Sequence, residues 1–243
     1  MNRLTADQKK KCQDFLNFTE STEAKAIQYL KDSNWNLETA CDRYFNDPNN
    51  IPESKVSQGK IVDLFNTYKD TNEEKIQENL ERFCKDLGVQ GELLEFGLLW
   101  KFKVKVMGEI TKEEFINACN QLKVDGLAKL KSEIQQIKTQ LNQEQQFKEF
   151  YTFTYDLGRL ENQKNVGLDM AIELWSVVMG PKYKDLQTWF EFLKSKHNLA
   201  ISKDTWALFY DFVKIANDDI NKYDSDGAWP VLLDDFVDYL KKK

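Results

Sequence analysis

Apolar residues along this chain recur at intervals of three and four rather than two, a spacing that predicts helices almost from end to end. Residues 5–46 read as three short helices. Thr5 followed by Gln8 makes a capping-box start, and the stretch from Lys11 to Phe18 carries the first apolar face. Ala24, Ile27 and Leu30 set the spacing of the second helix. Asn36 caps a third, with Leu37, Ala40, Cys41, Tyr44 and Phe45 turned inward. Two prolines among polar residues, in the run from Asp47 to Lys55, mark a linker. The expected division is a three-helix domain at 1–47, a linker at 48–58 and a larger helical domain at 59–243.

The larger part repeats the helical pattern. Ile61, Leu64, Phe65 and Tyr68 share one face, and Leu80, Phe83, Cys84 and Leu87 another. Leu127, Leu130, Ile134, Ile137 and Leu141 form a seam that calls for a partner helix. Met170 to Val178 and then Leu186, Trp189, Phe190 and Leu193 continue the theme. Ser202 is a candidate N-cap for a helix carrying Phe209, Phe212, Val213, Ala216 and Ile220. No segment sustains period-two alternation, so the fold is expected to be all-α, with at most a short two-stranded pairing.

Composition agrees with a packed, helical chain. Hydrophobic residues are 41% and aromatic residues 13% of 243, enough for a core and against global disorder. Ten glycines and four prolines imply few tight turns. The N-terminus has no apolar signal core. The longest near-apolar stretch, Phe96 to Trp100, is far too short to span a bilayer, so the expectation is a soluble protein of the nucleus and/or cytoplasm. Cys12, Cys41, Cys84 and Cys119 form no Cys-x-x-Cys pair and there is one histidine, His197, so neither a zinc site nor another metal or cofactor is expected. The cysteines lie among helical apolar positions and read as reduced, packed thiols. His197 reads as an exposed basic helix end rather than a catalytic base.

Charge changes the picture at the C-terminal end. Asp204 to Asp238 holds nine aspartates, no glutamate and two lysines, a formal −7 against −6 for the whole chain. Acid is interleaved there with Trp229 and Pro230, as on a folded surface. Such a field suits a basic protein partner and would repel nucleic acid, and nothing in the chain suits a membrane.

Two stretches look like calcium loops stripped of ligands. Gly108, Ile110 and Glu114 match positions six, eight and twelve of an EF-hand loop, but positions one, three and five fall on Lys103, Lys105 and Met107. Thr111 with Glu114 also makes a capping box, which explains the same letters without calcium. With Gly227 at position six, Asp226 and Asp224 take five and three, Lys222 takes one and Leu233 takes twelve. Ammonium groups cannot ligate a hard dication, so both read as calcium-free EF-hand-like helix–loop–helix units.

Asp204-Thr-Trp206, the run from Asp218 to Asp224, and Gly227-Ala-Trp-Pro-Val-Leu-Leu-Asp-Asp-Phe236 together resemble the signature of the defective-in-cullin-neddylation proteins, whose C-terminal part is the potentiating-neddylation domain. Phe147 to Tyr155, Gly167 to Ile172 with Trp175, and Trp100-Lys-Phe102 extend the resemblance over nearly the whole chain. It implies a ubiquitin-associated-like three-helix domain followed by an EF-hand-like domain. The implied function is a non-catalytic scaffold that helps a conjugating enzyme pass a Nedd-type ubiquitin-like modifier to a cullin. The family's cullin-binding Asp–Ala–Asp trio falls on Asp204, Ala228 and Asp234, which would meet the winged-helix end of the cullin. Its pocket for the acetylated N-terminal methionine of the conjugating enzyme falls on Leu80, Leu98, Phe102, Leu157 and Val177. Each of these has a plainer reading, as a solvated charge, a loop residue or ordinary core. Ubiquitin is a further implied partner of the N-terminal domain, but the contact loop aligns with Thr19-Glu-Ser21 and lacks the usual apolar residue unless Phe18 supplies it. A ubiquitin-binding receptor without a part in modifier transfer stands as the alternative function, and a degenerate calcium-sensor relative as the third.

Overall fold

The computed structural model describes residues 4–19, 21–47 and 56–242. The chain divides into two compact units, Met1–Val56 and Ser57–Lys243. The linker expected at 48–58 lies outside the described residues as far as 55, and Gln58 already opens a helix.

The first unit is three helices: α1 (Ala6–Thr19), α2 (Glu23–Asp32) and α3 (Leu37–Asn46). Their starts are fixed by side chains that satisfy orphan backbone N–H groups. The Gln8 N–H donates to the Thr5 hydroxyl (3.2 Å), the Thr5 N–H donates to the Gln8 side chain (3.0 Å), and the Thr39 N–H donates to Asn36 (3.0 Å). Cys12, Phe15, Ala26, Leu30, Ala40 and Tyr44 form the core. The stripe differs from the expected one at two places. Ala26 rather than Ala24 turns inward with Leu30, and Phe45 is 55% exposed. The cause is helical phase: Phe15 meets Tyr44 edge-on at 5.5 Å, and Phe45 lies about 100° further round α3.

The second unit runs α4 (Gln58–Tyr68), β1 (Lys75–Ile76), α5 (Leu80–Leu87), α6 (Glu92–Phe102), β2 (Ile110–Thr111) and α7 (Lys112–Gln121). It continues with α8 (Leu127–Gln135), α9 (Ile137–Gln140), α10 (Glu144–Gly158), α11 (Leu168–Met179), α12 (Leu186–Phe192), α13 (Lys203–Asp218) and α14 (Val231–Lys241). The two strands pair antiparallel, Lys75 with Thr111 and Ile76 with Ile110. Behind them Phe65, Phe83, Phe102 and Phe115 interlock at centroid distances of 5.5–6.0 Å. The seam expected from Leu127 to Leu141 is broken between α8 and α9. Ile137 packs so closely on Gly97 of α6 that a Cβ there would sit 2.6 Å from it.

The second core centre is a stack of rings. Trp206 lies between Tyr151 (4.9 Å, 16°) and Trp175 (4.7 Å, 11°). Buried polar atoms there are paired: the Tyr151 hydroxyl donates to Trp206 O, the Trp175 indole N–H donates to the Tyr151 hydroxyl (both 2.8 Å), and the Trp206 indole N–H donates to Tyr151 O (2.9 Å). Truncating such a ring costs about 3–5 kcal/mol. This stack holds the first turns of α13. The Ser202 hydroxyl caps that helix by accepting from the Thr205 N–H at 3.1 Å. After α12 the chain makes one π turn, Leu193–His197, so His197 is half-buried rather than an exposed end. Among the described residues no helix is long and apolar enough to cross a membrane.

Phe212 of α13 meets Phe236 of α14 at 5.8 Å, and Ala216 and Leu240 line one cavity. α13 and α14 are thus packed neighbours, with Asp204 in the first turn of one and Asp234 in the first turn of the other.

Candidate functional site

The acidic segment sorts into spent and unspent carboxylates. Asp211 is paired with Lys148 (3.3 Å) and Asp218 with Lys222 (2.5 Å). Asp219 accepts from the Asn221 N–H (2.9 Å) and Asp224 from the Asp226 N–H (3.0 Å), so both are used in turns. Asp204 stands exposed in the first turn of α13 with no such partner among the described residues, where the helix dipole favours its charge. Asp226, Asp235 and Asp238 are also exposed.

Asp234 is the one oriented by its surroundings. It is half-buried in the first turn of α14, and one oxygen accepts the Tyr223 hydroxyl at 2.7 Å. Tyr223 is itself held by Phe212 (5.9 Å) and Trp229 (5.1 Å). Burial, followed by the hydrogen bond and charge of Asp234, pushes the Tyr223 hydroxyl well above its ordinary value, so it remains a donor. No described side chain donates to the second oxygen of Asp234. Ala228 is exposed on the turn before α14.

That turn is not a calcium loop in shape. Gly108 has φ +86, the left-handed conformation that a calcium loop requires at position six, whereas Gly227 does not. Gly227 instead lacks a side chain because Trp229 folds back on it: a Cβ there would lie 2.9 Å from the indole nitrogen. The expectation of two EF-hand-like loops thus holds in backbone geometry for the first only. The partner of that loop is the segment from Asp70 to Asn79, joined to it by the strand pair, which the sequence reading missed. The available signal was Ile76, the apolar counterpart of Ile110. Both loops consume their own acids. Asp70, 4% exposed, accepts from the N–H groups of Gln77 (2.9 Å), Glu78 (3.2 Å) and Asn79 (3.2 Å) and from the Asn79 side chain. Glu114 accepts from the N–H groups of Lys105 (3.0 Å) and Thr111 (2.9 Å).

The five residues aligned to an apolar pocket fall in different places. Leu98, Phe102 and Leu157 are core, at most 5% exposed. Leu80 lines an open cavity of about 640 Å³ between α5, α6 and the Met107–Gly108 turn, walled also by Cys84, Val89, Phe96, Leu99 and Met107. Val177 lines a shallower groove of about 360 Å³, and Gln90 and Gly91 border both. Burial, then the charge of Glu95, raises the Cys84 thiol to about 11, and burial raises Cys119 to about 12, which leaves both protonated at neutral pH. All four cysteines are free thiols. In the first unit Phe18, near the end of α1, is 68% exposed, and Phe45 of α3 is likewise turned outward.

Residues 129–239 match the family model described as "Cullin binding", and residues 9–50 match a "UBA-like domain". The chain is 32% identical over 274 aligned residues to "Defective in cullin neddylation protein 1" of Caenorhabditis elegans, an alignment spanning 100% of this chain and 92% of that protein. It is 32% identical to "DCN1-like protein 5" of Rattus norvegicus (78% of this chain, 80% of that one) and 36% identical to "DCN1-like protein 3" of Xenopus laevis (74% and 62%). The acidic surface and the cavity both lie in the unit that contains the cullin-binding match. By sequence over its full length and by its helical fold, the chain belongs to the defective-in-cullin-neddylation family.

Proposed function

We propose that this protein is a non-catalytic adaptor in cullin neddylation, holding a cullin and the conjugating enzyme of the Nedd-type modifier so that the charged enzyme faces the acceptor lysine. The observation that carries the reading is the Asp234 carboxylate, held by Tyr223 through one oxygen at the start of a helix packed against that of Asp204. A basic winged-helix surface of the cullin would pair with both, and exposed Ala228 permits close approach between them. The apolar cavity beside Leu80 suits the N-terminal methionine of the conjugating enzyme, and an acetyl cap would remove an ammonium group that is costly to desolvate. Such a scaffold accelerates transfer by proximity and orientation, a mechanism that needs no reacting side chain of its own.

The test is reconstituted cullin modification with and without this protein. Stimulation that disappears in Asp204→Lys/Asp234→Lys supports the reading, and undiminished stimulation by that variant refutes it. The exposure of Phe18 and Phe45 favours a second, additional reading in which the N-terminal unit binds ubiquitin. Phe18→Ser/Phe45→Ser should then lose ubiquitin in a pull-down and keep cullin binding.

A further inference from the structure

Two tyrosines of the second unit each hold a carboxylate with the phenolic hydroxyl. Tyr68, at the end of α4, donates to Asp86 of α5 at 2.8 Å, and Tyr223 donates to Asp234 of α14 at 2.7 Å. Both rings are buried and both acids are half-buried. The first arrangement is complete: Arg82, one turn before Asp86 on α5, sets its guanidinium 5.4 Å from the centre of the Tyr68 ring. The second has no cation of its own. One turn before Asp234 stand Pro230 and Val231, and among the described residues no lysine or arginine pairs with Asp234. Trp229 covers the Tyr223 ring instead, at 5.1 Å and 32°. Its pyrrole edge rests on Gly227, yet Trp229 is only half-buried. Shielding Tyr223 accounts for the covered face of the indole and not for the part that stays open beside Asp234.

We propose that Trp229 and Asp234 together form a seat for an arginine of the cullin, whose guanidinium lies on the open side of the indole while it donates to the carboxylate. The inference rests on the reading of this surface as the cullin contact. An aromatic face beside a carboxylate fits a guanidinium better than an ammonium. The guanidinium is planar and weakly hydrated, so it stacks on an indole and keeps the donors of its plane for an acid. An ammonium is a compact, strongly hydrated point charge and gives up more water to meet the same two groups. Tyr223 fixes the direction of Asp234, and exposed Ala228, next to Trp229 in the chain, leaves the approach uncrowded. The chain itself uses arginine at the corresponding place beside Tyr68 and Asp86. Asp204 has no such face: Trp206, two residues on, is buried in the ring stack, so that carboxylate attracts lysine and arginine alike. Trp229 is thereby the specificity-determining residue of the surface.

Two versions of one cullin winged-helix domain separate arginine from charge: in one every exposed basic residue is lysine, in the other every one is arginine. Each is titrated by calorimetry into the full chain and into its Trp229→Leu, Trp229→Phe, Asp234→Asn and Asp204→Asn variants. The arginine version is expected to bind the unmodified chain about three- to ten-fold more tightly than the lysine version. That preference should vanish in Trp229→Leu and in Asp234→Asn, and shrink in Trp229→Phe, whose smaller ring still covers Tyr223. It should persist in Asp204→Asn, which weakens both versions equally. If Trp229→Leu does not fold, the phenylalanine variant carries the test. Equal binding of the two versions by the unmodified chain, or a preference undiminished in the Trp229 variants, overturns the inference and leaves the acidic surface as the cullin contact. If Asp204→Lys/Asp234→Lys binds both versions as tightly as the unmodified chain does, the reading of the surface itself fails, and the inference falls with it.

Discussion

The loop between α6 and α7 and the turn between α13 and α14 each carry half of the calcium-loop pattern, and they carry different halves. The first keeps the backbone: Gly108 at φ +86, Ile110 in the strand pair and Glu114 at the head of α7. Its ligand positions carry Lys103, Lys105 and Met107. The second keeps acids, Asp224 and Asp226, but Gly227 is not left-handed and Leu233, where the bidentate acid would stand, is fully buried. Loop geometry and ligand chemistry are thus separable. Where geometry survives, Asp70 and Glu114 are used up on backbone N–H groups and Glu109 on Lys75. Where it does not, Asp204, Asp226, Asp235 and Asp238 stay exposed. The comparison would fail if the carboxylates of the first region proved dispensable to the fold, or those of the second dispensable to binding.

The largest effect is expected at the acidic surface. Asp204→Lys/Asp234→Lys should weaken binding to a cullin winged-helix region by about two orders of magnitude or more, because each reversal replaces an attraction with a repulsion. Thermal stability should fall modestly, since the reversals lose the Tyr223 hydrogen bond, worth about 1 kcal/mol, and two acids at helix N-terminal turns, worth about 0.3–1 kcal/mol each. Calorimetry on the variant and on Asp234→Asn, which keeps an acceptor for Tyr223, separates charge from folding. Binding retained by the double variant would remove the contrast between the two regions.

Asp70 is the counterpart in the first region. Asp70→Ala leaves three partly buried backbone donors and the Asn79 amide without their acceptor, and should cost about 2 kcal/mol in urea unfolding. Burial alone would raise this carboxyl, but the N–H groups of Glu78, Asn79 and Gln77 outweigh it and hold the group below the usual range. The native value is depressed, so the contribution is complete above the unfolded value of about 3.9 and is lost as pH falls through the native one. The acid limb of the stability profile should therefore be shallower in Asp70→Ala. An equal acid limb in both proteins would mean that Asp70 does not hold the loop.

A smaller effect tests whether Asp234 acts by being oriented. Tyr223→Phe removes only the hydroxyl that fixes it and should lower cullin affinity a few-fold, on the order of 1 kcal/mol, with Asp204 and the net charge unchanged. Unaltered affinity would leave Asp234 as a charge without a required direction.

Much of this was legible in the sequence, and the rest was not for identifiable reasons. The caps at Thr5, Asn36, Thr111 and Ser202 are local chemistry within four residues, and all four form. The close seat of Ile137 on Gly97 joins positions forty residues apart in the chain, and spacing alone cannot register it. Leu98, Phe102 and Leu157 share with Leu80 the same apolar helical spacing, but only Leu80 borders the open cavity beside Met107; burial depth is not written in periodicity. The two-residue strands are too short to alternate and exist only through their pairing. Tyr223 gave no signal of its own, because its role arises from folding back onto Asp234 eleven residues later.

The smallest effect expected is none at all, and it bears directly on the loop that kept its geometry. A ligand that binds only the native state stabilises it by RT ln(1 + [L]/Kd), so millimolar calcium at a working sensor site would raise the unfolding midpoint measurably. At the α6–α7 loop, two ammonium side chains stand at ligand positions, and Glu114 already accepts from Lys105 and Thr111. At the Gly227 turn, Lys222 stands at the first ligand position and is engaged with Asp218. Thermal unfolding with calcium, with magnesium and with chelator should therefore coincide. A calcium-specific rise would mean that one loop recruits oxygens from elsewhere. Repeating the scan on Glu114→Gln would identify which: the rise disappears if the loop with the intact backbone is responsible, and persists if the acidic turn is.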